Sequence, residues 1–286
     1  MGQFFSAWSF DPFIAFNLVA IAAIYLWAVG SVNARNPHAP WKKVSTACFL
    51  VGLSLLAVVY LGPLPAWSHT FFWVHMAQHL IVMMAAAPLL VLGSPIYLWF
   101  RVSTPRARRQ IVVPVLRSRV VSVLTNPIFT WLLFAGVLLA THFTPFYNWA
   151  LQNHDADTFI EQPLFLVAAM LYYWPVIACD LLPHPSRASH RLVSMSVMMI
   201  PEAVVGAVIY FSPVVLYSVF ARSQRPFGPD PLTDQKFAGA LMWALVMVVE
   251  AFWMMWMAAE FFKSEERRSH RVDAEIAAEI AAGGRT

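Results

Sequence analysis

Apolar residues dominate the chain in seven long stretches, which short polar segments separate. A helix needs roughly 20 mostly apolar residues to cross about 30 Å of hydrocarbon, and each stretch is close to that length. The pattern therefore predicts an all-α membrane protein, a bundle of seven transmembrane helices. The predicted spans cover residues 13–31, 44–62, 70–92, 120–141, 159–179, 192–217 and 236–262.

The fourth stretch contains the pair Asn126-Pro127. Proline lacks a backbone donor and restricts the residue before it. We therefore expect a kink or a delayed start in this span.

Composition supports the membrane assignment. Hydrophobic residues make up 59% of the 286 residues and charged residues only 12%, whereas a soluble domain has about a quarter charged residues. A water-soluble globule is thereby excluded. The two cysteines are too few for a disulfide framework or a zinc module of four thiolates.

The basic residues indicate the topology, because cytoplasmic loops of membrane proteins retain Lys and Arg. Sixteen of the 19 lie in the segments after the first, third, fifth and seventh spans. This predicts that the N-terminus is outside and the C-terminus is cytoplasmic. Residues 1–262 then form the transmembrane domain, and residues 263–286 form a charged cytoplasmic tail. The net charge of +4 favours anionic lipid headgroups as a partner and not nucleic acid.

The third span carries two histidines at helical spacing. His75 and His79 are four residues apart, which places their Cβ atoms about 5 to 6 Å apart on one helix face, and Met83 continues the same stripe. Neutral imidazole suits copper, zinc, iron and nickel, and a thioether narrows the choice toward Cu(I). This pattern predicts a metal site, with His69 at its mouth. The alternative is that both imidazoles pack against neighbouring helices.

A complete site needs further ligands from other helices. His142, predicted at the outer surface after the fourth span, is the preferred third ligand, and Met242 of the seventh span is another candidate. His154 and Glu161, near the start of the fifth span, are weaker candidates. A zincin-type protease is not expected, because Met76 occupies the position of the general-base Glu in H-E-x-x-H.

Two carboxyl groups are predicted at membrane depth, Glu202 in the sixth span and Glu250 in the seventh. Each is expected to stand alone near the middle of its span. Ionisable groups are costly there and are usually functional, so each is either a protonated acid bonded to backbone or a relay for protons or cations.

Several motifs together resemble the caa3-type cytochrome c oxidase assembly factor family, CtaG. They are the segment 75–79 running into Pro88, Gly93 and Pro95; Thr141-His142 with Pro145 and Tyr147; Trp174-Pro175; and residues 231–235 followed by Gly239, Met242 and Trp243. The resemblance covers about residues 60–262. Where members often have a further histidine near the start of the fifth span, this chain has Glu161.

The resemblance implies a multi-pass protein of the bacterial inner membrane that helps to build a haem-copper oxidase by handling copper for its catalytic subunit. It implies metal roles for His75, His79 and His142, and places Asp234, a weaker ligand candidate, at the outer mouth. A periplasmic copper chaperone is a further possible partner. No enzymatic activity is expected, and the alternatives are a membrane-embedded zinc-dependent hydrolase or a copper or ion transporter.

Overall fold

The protein is described from a computed structural model, which covers residues 2–153, 156–178, 181 and 187–283. Most of these residues are helical. The long helices are α1 (Pro12–Arg35), α2 (Lys43–Tyr60), α3 (Phe72–Val102), α4 (Pro127–Phe143), α5 (Asp157–Ala178), α6 (Ala188–Phe211) and α7 (Pro231–Arg267, with helix continuing to Gly283). Short helices connect them, among them Gly2–Ser6, Pro63–Trp67, Pro95–Val102 at the end of α3, Arg119–Leu124, Pro145–Gln152 and Ser218–Arg222. The predicted all-α membrane fold is confirmed.

Local sequence signals set where three of the helices begin. The side chains of Asp11, Asn126 and Asp230 each accept hydrogen bonds from the first backbone N–H groups of α1, α4 and α7. Each of these capping residues is followed by a proline, whose missing donor is harmless in the first turn.

The fourth span differs from its predicted boundaries. Helix α4 begins at Pro127, which is the delayed start that the Asn-Pro pair predicts, while residues 119–124 form a separate short helix. Beyond Phe143 the chain bends by 73° into the helix Pro145–Gln152. Within the described residues, six helices are long and apolar enough to span a membrane, or seven when this bent pair counts as one. The sixth helix ends at Phe211, earlier than predicted.

Two buried clusters organise the bundle. The larger one joins α3 to α4, α5, α6 and α7. The smaller one packs α1 and α2 against α3. Helix α3 belongs to both clusters and is the most central helix, so a side chain on its inner face is shielded by several neighbours. Helix α1 lies at the edge and exposes large apolar side chains such as Phe16 and Val19.

Candidate metal centre

Helix α3 places two imidazoles in the middle of the bundle. The Nε2 atoms of His75 and His79 are 2.6 Å apart, and both side chains are essentially inaccessible to solvent. The α-helical segment Phe72–Leu80 is followed at once by a π-helical turn, Ile81–Ala86. π turns are rare and are frequent at functional sites.

Helix α5 supplies a carboxylate to the same point. Glu161 Oε1 lies 3.3 Å from His79 Nε2 and 3.8 Å from His75 Nε2. Glu161 also belongs to a π-helical turn, Asp157–Glu161. One ligand atom from each of the three residues lies within 4.8 Å of the others, which is the spacing of a metal-binding group. Glu161 is therefore a central member of the site, although the sequence ranked it as a weaker candidate.

Several polar atoms of this group have no hydrogen-bond partner in the described part of the protein. Both carboxylate oxygens of Glu161 and the Nδ1 atoms of His75 and His79 are buried without a hydrogen-bond partner. Buried polar atoms are nearly always paired, and each unpaired one costs free energy. A cation held between Glu161 and the two Nε2 atoms would compensate the carboxylate, so this donor set fits a bound metal ion.

His142 stands beside the group. It lies in the last turn of α4, at the predicted end of the fourth span, and is 4% exposed. Its position at the outer surface of the membrane stays a prediction. Its ring centre is 6.3 Å from that of His79. Its Nδ1 lies 2.8 Å from the carbonyl oxygen of Leu138, to which it donates in the tautomer that leaves a lone pair on Nε2. That Nε2 is buried without a partner.

Aromatic rings enclose the four polar side chains. The ring of Tyr147 lies 5.6 Å from His75 and 5.0 Å from His142, and Phe165 lies 4.6 Å from His79. The hydroxyl of Tyr217 donates to the carbonyl oxygen of His142. Burial, followed by the nearby Glu161 carboxylate, raises the pKa of Tyr217, so this hydroxyl keeps its proton. The enclosure excludes bulk water and strengthens electrostatic interactions inside it.

A second histidine and carboxylate lie between the centre and the predicted outer end of the bundle. His69 Nε2 is 3.2 Å from Asp157 Oδ2, and Asp157 is four residues before Glu161 in the same π turn. Asp157 also lines a small polar cavity of about 30 Å³, together with Tyr60, Ser68, Gln78 and Gln162 among others. That His69 lies at the mouth of the site stays a prediction.

Asp234 has a different environment from the metal-binding group. Its two oxygens accept hydrogen bonds from the backbone N–H groups of Phe72 and Trp73, and Oδ2 also pairs with Arg225 at 2.7 Å. The carboxylate therefore caps the N-terminus of α3, where a negative charge is favoured by the helix dipole. It fixes the helix that carries His75 and His79.

The other predicted ligands are less well placed by the structure. Met83 and Met242 are buried in the same core cluster as the histidine-bearing helix, and each lies in a π-helical turn. They remain candidates. His154 lies outside the described residues.

Comparison with known families now decides the identity of the chain. The family of the cytochrome c oxidase caa3 assembly factor, Caa3_CtaG, matches residues 23–264. The chain belongs to this family. The match includes all the helices that contribute to the metal-binding group, and it confirms the resemblance seen in the sequence.

The chain is also similar to longer mycobacterial proteins. It is 28% identical to an uncharacterized protein of Mycobacterium bovis over 95% of its length, and equally to one of Mycobacterium tuberculosis. An uncharacterized protein of Mycobacterium leprae is 25% identical over 94% of the chain. The chain spans about two fifths of the length of these relatives, 41% to 42%. No solved structure matches it.

Proposed function

We propose that this protein binds copper as Cu(I) between His75, His79 and Glu161 and passes it to the catalytic subunit of a haem-copper oxidase during assembly. The observation that carries the proposal is the buried group of two imidazoles and one carboxylate with their ligand atoms within 4.8 Å of one another. Family membership supports the assembly role. In this scheme the protein binds and transfers its cargo and catalyses no reaction.

Charge favours a monovalent ion. Two neutral imidazoles and an ionised Glu161 carry one negative charge, which Cu(I) neutralises. A divalent ion would leave a net positive charge in a buried site, where uncompensated charge costs several kcal/mol per ion. The donor types alone also suit zinc, so the charge balance is the feature that favours Cu(I).

His142 supports a three-nitrogen environment for the ion. Leu138 engages the Nδ1 atom of His142, and the Nε2 atom is left without a partner. A small inward movement of one ring would add this nitrogen to the donor set. Imidazole is a suitable ligand for copper, and the thioethers of Met83 and Met242 are soft donors in the same core.

The pair His69–Asp157 supports a route into the centre. His69 is 28% exposed at its side chain, whereas Asp157 is 6% exposed. The pair therefore connects solvent to the π turn that holds Glu161, along a polar cavity large enough for about one water molecule. A copper ion released by a periplasmic chaperone would pass from this pair to the buried group by ligand exchange.

Removal of the two imidazoles tests the proposal. The double variant His75→Ala, His79→Ala is compared with His38→Ala, a variant at an exposed position. Purified protein is loaded with Cu(I) under reductant and analysed for copper and zinc, and oxidase activity is measured in a strain that depends on the variant.

We expect the double variant to lose one equivalent of copper and to leave the oxidase short of copper, while His38→Ala changes neither. Full copper content together with full oxidase activity in the double variant would exclude the scheme. One equivalent of zinc in place of copper in the wild-type centre would identify the group as a zinc site.

A further inference from the structure

A second set of buried polar groups lies between α6 and α7. The side chains of Glu202 and Glu250 are 1% and 0% exposed. They lie within hydrogen-bonding reach of each other, so the sequence-based expectation that each stands alone is wrong. We refer to Glu202 and Glu250 as the acid pair. All four of its carboxyl oxygens are buried without a partner that donates a hydrogen bond.

Two tyrosines surround the acid pair. Tyr172 and Tyr173 of α5 are fully buried and interact electrostatically with both carboxyl groups. The hydroxyl of Tyr172 lies within reach of Ser194, and that of Tyr173 lies 3.3 Å from Met84 Sδ. Among the described residues, the carboxyl groups of the acid pair thus have only each other as hydrogen-bonding neighbours inside an apolar core, which is a costly arrangement unless a ligand compensates them.

Methionines extend the acid pair in one direction. Met198 is four residues before Glu202 on α6, and Met257 is seven residues after Glu250 on α7, so each shares a helix face with its carboxyl group. Met195 continues the α6 stripe, and all three thioethers are buried in the same cluster. Hard carboxylate oxygens are therefore followed by soft sulfur donors, a combination that suits transition metals.

The close approach of α6 and α7 holds the acid pair together. A Cβ atom on Gly239 would lie 2.6 Å from the backbone nitrogen of Tyr210, and one on Gly206 would lie 3.1 Å from that of Trp243. Small residues permit such contacts between membrane helices. Further along α7, Trp253 Nε1 donates to the carbonyl oxygen of Met84 on α3, which ties all three helices at this level.

The acid pair is separate from the histidine group. Among the described residues, no member of the histidine group interacts with Glu202 or Glu250. Trp253, three residues after Glu250, bonds to Met84, five residues after His79. The acid pair therefore lies further along the bundle than the histidine group, toward the end where α7 continues as a charged helix.

We propose that Glu202 and Glu250 form a second metal site, which binds a transition-metal cation in exchange for protons. With one proton on each carboxyl group the acid pair is neutral. A monovalent ion restores neutrality by displacing one proton to solvent, and a divalent ion does so by displacing two. This inference does not depend on the proposed function of the histidine group, because it rests on other residues.

Metal and proton stoichiometry test the second site. Full-length protein in nanodiscs is loaded with Cu(I) under reductant or, separately, with Zn(II), and bound metal and released protons are counted. We compare wild type, His75→Ala with His79→Ala, and Glu202→Gln with Glu250→Gln. Glu260→Gln is the matched control, since Glu260 is on the same helix with its side chain 60% exposed.

We expect two equivalents of metal in wild type and in Glu260→Gln, and one in each double variant. In the histidine variant, the remaining equivalent should release one proton per Cu(I) and two per Zn(II). No metal bound by the histidine variant would overturn the proposal, because the acid pair would then hold protons only. An unchanged two equivalents in Glu202→Gln, Glu250→Gln would overturn it as well.

Folding does not obscure the outcome. If the double variant Glu202→Gln, Glu250→Gln keeps one equivalent of metal at the histidine group, the variant is folded. The loss of the other equivalent is then confined to the acid pair. If it binds nothing, the histidine variant alone decides, since it leaves the acid pair intact. If the histidine group binds no copper, the histidine variant binds as much metal as wild type. If the acid pair binds none, the glutamate variant binds as much metal as wild type, so the two failures give different results.

Discussion

Among single residues, Glu161 has the largest influence on which cation the histidine centre accepts. It brings the negative charge of the metal-binding group. Its Oε1 faces His75 and His79, and neither of its oxygens has a hydrogen-bond partner in the described part of the protein. The imidazoles supply ligand atoms but no charge when they are neutral. Altering the carboxylate should therefore change which cation charge the centre prefers, whereas altering the imidazoles should remove ligand atoms without changing the charge of the centre.

The variant Glu161→Gln tests this assignment. The amide keeps the size and one oxygen of the side chain but removes its charge, so bound Cu(I) would leave a buried positive charge. We expect the Cu(I) affinity to fall by at least about tenfold, which corresponds to 1.4 kcal/mol. Competition with a chromophoric Cu(I) chelator measures this change.

The matched control is Glu266→Gln, at an exposed position in the C-terminal part of α7. It removes the same charge from the chain without touching the centre, so its Cu(I) affinity should equal that of wild type. Equal affinities in Glu161→Gln and wild type would show that the carboxylate is not a ligand or a counter-charge for copper.

At the level of helices, the geometry of the histidine centre depends on the contacts that fix each helix and on the positions of its π-helical turns. The pair His75 and His79 could be predicted from sequence because both lie on one helix, where spacing alone fixes their proximity. Glu161 and His142 come from other helices. Their positions depend on π turns and on the bend after Phe143, which no short sequence pattern signals.

Asp234 shows how one helix holds another. Its carboxylate caps α3 through Phe72 N and Trp73 N and pairs with the largely buried Arg225. We expect Asp234→Asn to lower the free energy of unfolding by roughly 3 kcal/mol, because it leaves the guanidinium without its counter-charge. It should also weaken Cu(I) binding, since α3 loses the cap that fixes the start of the histidine-bearing turn.

Thermal unfolding in detergent, with and without Cu(I), measures both effects. Asp230→Asn is the control, because Asp230 caps α7 at an exposed position and Asn is an equally good cap. A variant Asp234→Asn with wild-type stability but weaker Cu(I) binding would instead indicate that Asp234 is itself a ligand or an entry residue.

For the whole molecule, the sequence predicts the membrane spans and the class of fold well. Long apolar runs depend only on local composition, and the bilayer thickness fixes their length. The neighbourhood of Glu202 and Glu250 could not be predicted, because it depends on the axial register of α6 against α7. That register is fixed by the close contact between Gly206 and the α7 backbone, a feature of two helices together.

The direction in which the bundle lies in the membrane determines what its two polar centres can do. If the N-terminus is outside, the pair His69–Asp157 opens to the external side, and the acid pair lies nearer the cytoplasm. Copper would then enter at the histidines from outside. With the opposite orientation, the same entrance would receive metal from the cytoplasm, and a periplasmic donor could not reach it.

Cysteine labelling decides between these orientations. In a background with Cys48→Ser and Cys179→Ser, single cysteines are introduced as Gln224→Cys, between α6 and α7, and Gln110→Cys, between α3 and α4; both positions are exposed. The distribution of Lys and Arg predicts that a membrane-impermeant maleimide labels position 224 in intact cells and position 110 only after permeabilisation. Labelling of position 110 in intact cells would show that the bundle has the opposite orientation. Copper could then not enter from the periplasm through His69 and Asp157, even if the histidine centre binds Cu(I) as proposed.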